Sequence, residues 1–299
     1  MKIFLTGGTG FVGGHLRKAL LANGHEIRLL THKKGGVTGP GVEEVEGDVA
    51  RPETFAANVN GCDATINLVG IIREFPGREA TFERLHVEAT RNVIEAARAA
   101  GIRRHLQMSA LGTRPGATSA YHRTKYRAEE LVRGSGLDWT IFRPSVIFGP
   151  QDAFVNLLAG YIKGYPAVPV IGDGKYRIQP ISADDVARCF TLALELPAAI
   201  CQTFELCGPD RLSYNEMLDV IGRALGKPHV PKVHNPLGIM KLVVPLLQGF
   251  SFFPITMDQL LMLVEENICD GKWRETFRFE PQPFAEGIGK YLKPKQPNE

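Results

Sequence analysis

Cysteine pairs, blocks of like charge and long apolar runs are all scarce in this sequence. The five cysteines include no C-x-x-C spacing, so they are interpreted as reduced thiols of a cytosolic protein rather than a disulfide framework or a zinc site. The 299 residues carry a net charge of only +3 and no lysine or arginine run, which argues against nucleic acid as a partner. The short apolar start enters a glycine loop at once, so no signal peptide is expected. These features predict a cytoplasmic protein that binds no metal.

Short apolar runs alternate with helical patterns through the first half of the chain, which is typical of βαβ units and a parallel sheet. The expected fold class is α/β, a doubly wound parallel sheet of the Rossmann type with a smaller, mainly helical C-terminal substrate region. Residues 1–150 and about 180–203 are assigned to the first domain, and about 151–179 and 204–299 to the second. Strands are predicted at 2–6, 26–30, 42–46, 63–69, 105–108 and 139–143, and helices at about 10–22, 79–100, 121–133 and 184–196.

A glycine-rich loop follows the first predicted strand and opens the first helix. It contains G-x-G-x-x-G at Gly8, Gly10 and Gly13. Glycines at these positions permit a tight turn and let the backbone approach a pyrophosphate, whose charge the helix N-terminus stabilises. A glycine turn without a ligand is the alternative, but the place at the head of a βαβ series favours a dinucleotide. The loop residues assigned to the cofactor are Gly7, Gly8, Thr9, Gly10, Phe11, Val12 and Gly13.

Two further segments follow strands at the edge where open α/β sheets bind ligands. Asp48 and Val49 come after the third strand, where a carboxylate can accept a hydrogen bond from an adenine amino group. A helix N-cap before Pro52 is a nearly equal alternative for Asp48. Leu68, Val69 and Gly70 end the fourth strand.

The end of the second strand bears on the choice of cofactor. A site selective for NAD usually has an acidic residue there to bind the ribose hydroxyls, but this chain continues with Thr31, His32, Lys33 and Lys34. Cationic side chains suit a 2′-phosphate, so NADP(H) is favoured and NAD(H) stays an alternative. Lys33 and Lys34 also fit a solvated loop beside two glycines.

Tyr121 and Lys125 form Y-x-x-x-K at the start of a predicted helix. The spacing places both side chains on one helix face, where the ammonium favours the phenolate and makes the tyrosine useful in proton transfer. The lysine can also bind the nicotinamide ribose. Ser109, just after the fifth strand, is assigned to orient a substrate carbonyl. A surface Tyr/Lys pair is the alternative, and the upstream glycine loop argues against it.

Together these motifs resemble the short-chain dehydrogenase/reductase superfamily, in its extended or atypical form. Residues 6–13 match T-G-x-x-G-x-x-G, 143–150 match R-P-x-x-x-[YF]-G-P, 184–187 match D-D-V-A, and 206–209 match L-x-G-P. The pattern is most similar to the subgroup of the NADPH-binding accessory subunit of respiratory complex I. The resemblance implies a catalytic triad of Ser109, Tyr121 and Lys125 and cofactor contacts from Pro144, Ser145 and Val146. Mitochondrial members of that subgroup lack the tyrosine, which this chain keeps.

Some positions depart from the sugar-nucleotide enzymes of the superfamily. Ala110 and Leu111 follow Ser109 where dehydratases have Asp-Glu, and Ile178 stands where epimerases have a diphosphate-binding arginine. His86 replaces a frequent asparagine and is interpreted as a packed or surface residue. Two hypotheses remain: an NADP(H)-dependent oxidoreductase or epimerase acting on a small carbonyl or hydroxyl substrate, and a non-catalytic accessory or assembly protein of a respiratory or quinone-linked complex.

Residues 235–257 form an apolar segment with a single charge, Lys241. Prolines and glycines interrupt the segment, so it is too broken to cross a membrane. A core of the smaller domain is the favoured interpretation. The alternative is a surface for a lipophilic substrate, a partner protein or the inner face of a membrane. Residues 256–259 then predict a capping box that opens another helix.

Overall fold

The computed structural model describes residues 1–37, 39–75, 77, 79–250 and 255–292, so Phe252 and Phe253 of the apolar segment lie outside the described residues. Its strands are β1 Lys2–Thr6, β2 Glu26–Thr31, β3 Val42–Glu46, β4 Ala64–Asn67, β5 Arg104–Met108, β6 Asp138–Pro144, β7 Ile147–Phe148, β8 Val168–Ile171, β9 Arg177–Ile178, β10 Ile181–Ser182, β11 Gln202–Leu206, β12 Leu212–Ser213 and β13 Lys232–Asn235. Its α-helices are α1 Phe11–Ala22, α2 Ala89–Ala99, α3 Ala120–Arg133, α4 Phe154–Gly164, α5 Ala183–Ala193, α6 Tyr214–Ala224, α7 Leu237–Leu247, α8 Met257–Val264, α9 Trp273–Phe277 and α10 Phe284–Leu292.

The main sheet has seven strands within the described residues, in the order β11-β6-β5-β4-β1-β2-β3. Every neighbouring pair in it is parallel. The chain order reverses between β1 and β4, and such a reversal leaves a crevice at the carboxyl ends of the strands where ligands bind. The predicted Rossmann-type parallel sheet is therefore confirmed, and the glycine loop lies at its reversal point.

The chain divides into two compact units. The first, here called the Rossmann unit, comprises Met1–Pro144, Asp184–Leu206 and Lys272–Arg278. Its core includes fully buried Phe4 and Phe55 from one side of the sheet, packed against Val93 and other residues of α2. The sequence had assigned Lys272–Arg278 to the other domain. The Phe277 ring packs on Phe142 and Phe204, a contact across distant positions that a five-residue helix cannot reveal by periodicity.

The second unit, here called the C-terminal unit, comprises Ser145–Ala183, Cys207–Gly271 and Phe279–Glu299. Helices α4, α6 and α10 supply most of its core, with Val155, Met217 and Phe284 fully buried. It also contains parallel pairs β7–β10 and β8–β13 and the antiparallel pair β9–β12. These strands have two to four residues each, so the sequence, which predicted a mainly helical region, did not reveal them.

The cysteine prediction was wrong for one pair. Cys207 and Cys269 of the C-terminal unit are joined by a disulfide, with their Cα atoms 6.1 Å apart. The two residues are 62 positions apart in sequence, so no local spacing pattern could show the pair. Cys62 and Cys189 are buried free thiols, and Cys201 is an exposed one.

Helix α7 contradicts the core interpretation of the apolar segment. Leu242 is 74% exposed and Leu246 is 76% exposed, and Ile239 and Phe250 are exposed as well. Val244 is fully buried, because only one side of the helix packs on its own unit. None of the described helices is both long and apolar enough to cross a membrane. The predicted capping box is confirmed at Thr256, whose side chain and that of Gln259 cap α8.

Candidate functional site

The glycine loop between β1 and α1 is packed too tightly for side chains. Gly7 has a φ of +73°, and a Cβ there would lie 2.8 Å from the carbonyl carbon of Leu68. A Cβ on Gly13 would lie 2.5 Å from the Gly7 oxygen. The amide of Gly10 donates to that same oxygen over 3.1 Å. No side chain caps the start of α1, so its first amides form an anion-binding helix terminus of the kind that holds pyrophosphates.

Lys125 lies where β4 and β5 end. Its Nζ donates to the carbonyl oxygens of Val69, over 3.5 Å, and Met108, over 3.3 Å. A Cβ on Gly70 would lie only 2.8 Å from that Nζ, so glycine at position 70 leaves room for the ammonium. Burial lowers the pKa of Lys125 to about 8, and the charge of Glu129 opposes this shift. The structure thus brings Val69, Gly70 and Lys125 of the predicted site together.

Tyr121 lies one turn before Lys125 on α3, which Ser119 caps through the His122 amide. The Tyr121 ring meets Phe82 and His86 edge to face, with centroids 5.8 and 5.3 Å away. Burial raises the pKa of Tyr121 to about 12. The shift is opposite to the expected effect of a neighbouring ammonium, so Tyr121 is a neutral phenol at physiological pH.

His86 is buried beside the Tyr121–Lys125 pair, a position that the sequence did not reveal. The predicted helix over 79–100 contains a π-helical segment, Glu83–Glu88, before α2, and such segments are frequent at functional sites. The His86 Nδ1 lies 2.9 Å from the Thr124 hydroxyl, and its Nε2 lies within 3.2 Å of the Ile71 backbone. Burial, followed by the Lys125 charge, lowers the pKa of His86 to about 2, so this imidazole stays neutral.

Ser109 has a different partner from the one that the sequence suggested. Its Oγ donates to Oε1 of Glu129 over 2.5 Å, and the Thr113 hydroxyl lies 3.4 Å away. Ser109 and Thr113 are each only 3% exposed. Glu129 is not among the residues predicted for the site, although it continues the four-residue spacing of Tyr121 and Lys125 along one helix face.

The residues after β2 fit a dinucleotide in part. The hydroxyl oxygen of Thr31 is buried and has no hydrogen-bond partner among the described residues. His32 and Lys33 are exposed. Arg17 of α1, absent from the sequence prediction, donates from Nε to the Gly8 carbonyl over 2.9 Å. An unsatisfied buried hydroxyl at the end of β2, the strand beside β1, suits a hydrogen bond to a ribose hydroxyl, so the residues present fit the cofactor.

Asp48 and Val49 have structural partners. Oδ1 of Asp48 accepts from the Ala50 amide over 2.9 Å, and Oδ2 lies 3.6 Å from Arg84. The segment that follows is a single 3-10 turn, Pro52–Thr54, whose N-cap is Arg51, so the N-cap alternative for Asp48 was wrong. Val49 belongs to the core.

Residues 143–146, which begin the R-P-x-x-x-[YF]-G-P match, are divided between the two units. Pro144 ends β6, whereas Ser145 and Val146 belong to the C-terminal unit. There both donate to Oδ1 of Asn267, from the Ser145 hydroxyl over 2.5 Å and from the Val146 amide over 3.1 Å. Ser145 and Val146 therefore have protein partners, and their assignment to the cofactor stays a prediction.

A family model described as NAD(P)H-binding matches residues 7–196, more than half of the chain. The chain belongs to the NAD(P)H-binding family. Proteins similar to it include subunit 9 of the NADH dehydrogenase [ubiquinone] 1 alpha subcomplex of Arabidopsis thaliana, 30% identical over 72% of this chain and 56% of that one. The 2-alkyl-3-oxoalkanoate reductase of Stenotrophomonas maltophilia is 27% identical over 96% of each chain. The ceramide reductase of Caulobacter vibrioides is 28% identical over 78% of this chain and 74% of that one.

Solved structures with the same fold include the UDP-glucose 4-epimerase of Thermotoga maritima, with a TM-score of 0.75, 20% identity and 98% of each chain covered. A dTDP-glucose 4,6-dehydratase of Streptomyces venezuelae, solved with NAD, has a TM-score of 0.74 and 21% identity over 98% of this chain and 96% of that one. At these identities the likeness shows the fold alone. The match to the NAD(P)H-binding family model and the similarity to two reductases and to subunits of NADH dehydrogenase agree with the resemblance to short-chain dehydrogenases and reductases. The chain spans only about half the length of the Arabidopsis subunit, so that protein's role does not carry over by itself.

Proposed function

We propose that this NAD(P)H-binding protein is an oxidoreductase that acts on a carbonyl or hydroxyl group, with reduction as the favoured direction. The observation that carries this proposal is the buried Tyr121–Lys125 pair, with Lys125 bonded to the backbone at the ends of β4 and β5. A surface pair would have neither the burial nor the backbone contacts. The similarity to two reductases, one of them along nearly the whole of both chains, supports the same assignment.

The residues of the pair have separate roles in this proposal. A bound nicotinamide supplies the hydride chemistry. Tyr121 keeps its proton at neutral pH, because burial raises its pKa to about 12, and donates it to the substrate oxygen as that oxygen gains negative charge. The Lys125 ammonium stabilises the tyrosinate that remains and is available to the ribose.

The preferred cofactor in this proposal is NADP(H). Residues 31–34 contain no carboxylate to repel a 2′-phosphate. Two cationic side chains and one that can become cationic are available to the phosphate. Arg17 bonds to the glycine loop, and His32 and Lys33 follow β2. Loss of one phosphate contact should cost about 1.5–3 kcal/mol, or about ten- to a hundredfold in affinity. Calorimetry with NADPH and NADH on the native chain and on Arg17→Ala tests this choice, and tighter binding of NADH would contradict it.

The substrate in this proposal is a lipophilic carbonyl compound, since the named substrates of the two similar reductases carry alkyl or ceramide groups. The test is NADPH oxidation with a panel of ketones and 3-oxoalkanoates of increasing chain length. Tyr121→Phe should bind NADPH as the native chain does and lose turnover by about a hundredfold or more, because only the proton donor is removed. Tyr126→Phe, five residues further along α3 and only partly buried, is the matched control. Equal turnover by native protein and Tyr121→Phe would refute the catalytic role.

A second candidate is an accessory role at a membrane or in a respiratory complex. Two observations favour it: the exposed leucines of α7, and the similarity to proteins named as subunits of NADH dehydrogenase. In this proposal α7 lies on the surface of a membrane or of a larger assembly, and the nucleotide has a structural role. Absence of turnover across the carbonyl panel, together with stable NADPH binding, would favour this candidate.

A further inference from the structure

Glu129 is a fully buried carboxylate in the helix that carries Tyr121 and Lys125. Four donors surround it. Oε1 accepts from the Ser109 hydroxyl over 2.5 Å and from Nε of Arg143 over 2.8 Å. Oε2 accepts from Nη2 of Arg143 and from Nη2 of Arg133, each over 2.6 Å. A carboxylate has about four acceptor positions, so Glu129 is fully satisfied and firmly held.

The first consequence concerns the proton of Ser109. A hydroxyl carries one hydrogen, and the short bond to a charged carboxylate is stronger than one to a neutral hydroxyl 3.4 Å away. The Ser109 proton is therefore directed to Glu129, and Ser109 is left with lone pairs that accept hydrogen bonds. Such a serine cannot donate to a substrate carbonyl, but it can accept from a hydroxyl group.

The second consequence concerns the charge of Lys125, one turn earlier on α3. Burial lowers the pKa of Lys125, and Glu129 is the carboxylate that acts against this shift. Arg133 and Arg143 both pair with this carboxylate, so their positive charges are compensated only while Glu129 is ionised. One carboxylate thus contacts the serine directly and acts on the lysine through its field.

We propose that Glu129 is a positioning residue of the site: it fixes Ser109 as a hydrogen-bond acceptor and keeps Lys125 charged. The inference rests on the proposed oxidoreductase function for its effect on turnover. The effects on the Ser109 hydroxyl and on the Lys125 charge hold in the free protein, whatever the reaction.

The test measures the titration of Lys125 in the full chain labelled with ¹³C at the lysine Cε. The Lys125 resonance is assigned by its loss in Lys125→Met. In Glu129→Gln the Lys125 midpoint should fall by about one pH unit, because an opposite charge nearby favours the ammonium. Glu130→Gln is the matched control, since Glu130 is the adjacent glutamate and also binds Arg133 but is exposed. Equal midpoints in the two variants would overturn the proposal.

Glu129→Asp separates the two effects and serves if the glutamine variant does not fold. It keeps the charge but withdraws the carboxylate by one methylene, so the Lys125 midpoint should stay near the native value while kcat/KM falls about ten- to a hundredfold. Native kcat/KM in this variant would contradict the role through Ser109. If the native protein shows no turnover with any carbonyl, the oxidoreductase proposal fails, and the Lys125 titration still decides the role of Glu129.

Discussion

Burial of Lys125 makes the site costly to fold. Its pKa falls from 10.5 to about 8, so in the folded state the ammonium loses protons more readily than in the unfolded chain. The penalty is fully present below about pH 8 and disappears as the pH rises towards 10.5. At 1.36 kcal/mol per pKa unit it amounts to about 3 kcal/mol at neutral pH. In the proposed function this cost is offset by the positive charge that Lys125 supplies beside Tyr121.

Lys125→Met should therefore raise the free energy of unfolding at pH 7 by up to about 3 kcal/mol while it weakens NADPH binding. In the native protein the free energy of unfolding should rise between pH 8 and 10.5 relative to this variant. Urea unfolding of both proteins at pH 7, 8.5 and 10 measures the difference in free energy of unfolding and its change with pH. A constant difference between the two proteins across this range would contradict the lowered pKa.

At the level of single residues the sequence predicted those with a local signature. The Y-x-x-x-K spacing identified Tyr121 and Lys125, and the structure places both in one buried cluster. His86 has no such signature, and Glu129 has only its four-residue spacing from Lys125. The partners of these two residues, Ile71, Ser109 and Arg143, lie 14 to 20 positions away from them. Contacts of this range arise only when the strands and helices are assembled, so the sequence could not reveal them.

The junction of β1 and α1 shows how two adjacent glycines in one element differ. A Cβ on Gly13 would lie 2.5 Å from the Gly7 oxygen, whereas one on Gly14 meets nothing closer than 4.0 Å. Gly13→Ala should destabilise the chain by about 1–3 kcal/mol through overpacking and abolish cofactor binding by displacing the loop. Gly14→Ala should stabilise it by up to about 1 kcal/mol, since alanine favours a helix. Thermal unfolding and NADPH titration compare them, and equal effects would refute the tight-loop geometry.

Elements with strong periodicity were predicted well, and those that depend on packing were not. The strands of the parallel sheet follow short apolar runs such as 3–5, which are buried on both faces. Helix α7 is apolar on all sides, so its composition predicted burial, but only Val244 is fully covered. Hydrophobic composition alone cannot distinguish a helix buried in the core from a helix whose apolar side is exposed at the surface.

Across the whole molecule the charge is unevenly distributed. The net charge is only +3, yet residues 220–257 contain four lysines and arginines and no acidic residue. Helix α7 lies within this stretch, with Lys241 exposed beside Leu242. The exposed apolar side of α7, with Lys241 beside it, suits the headgroup region of an anionic membrane, where an exposed lysine adds about 1 kcal/mol.

The full chain should therefore bind vesicles that contain phosphatidylglycerol more tightly than vesicles of phosphatidylcholine alone, and high salt should reduce the difference. Leu242→Asp/Leu246→Asp should weaken binding by about a hundredfold or more, because each leucine loses about 1.5–3 kcal/mol of apolar burial, with little loss of stability at exposed positions. Leu157→Asp, on the exposed side of α4 in the same unit, is the control and should bind normally. Flotation measures binding and circular dichroism verifies folding. Dimers that dissociate in the double variant, without any vesicle binding by the native chain, would instead assign the α7 face to a second copy.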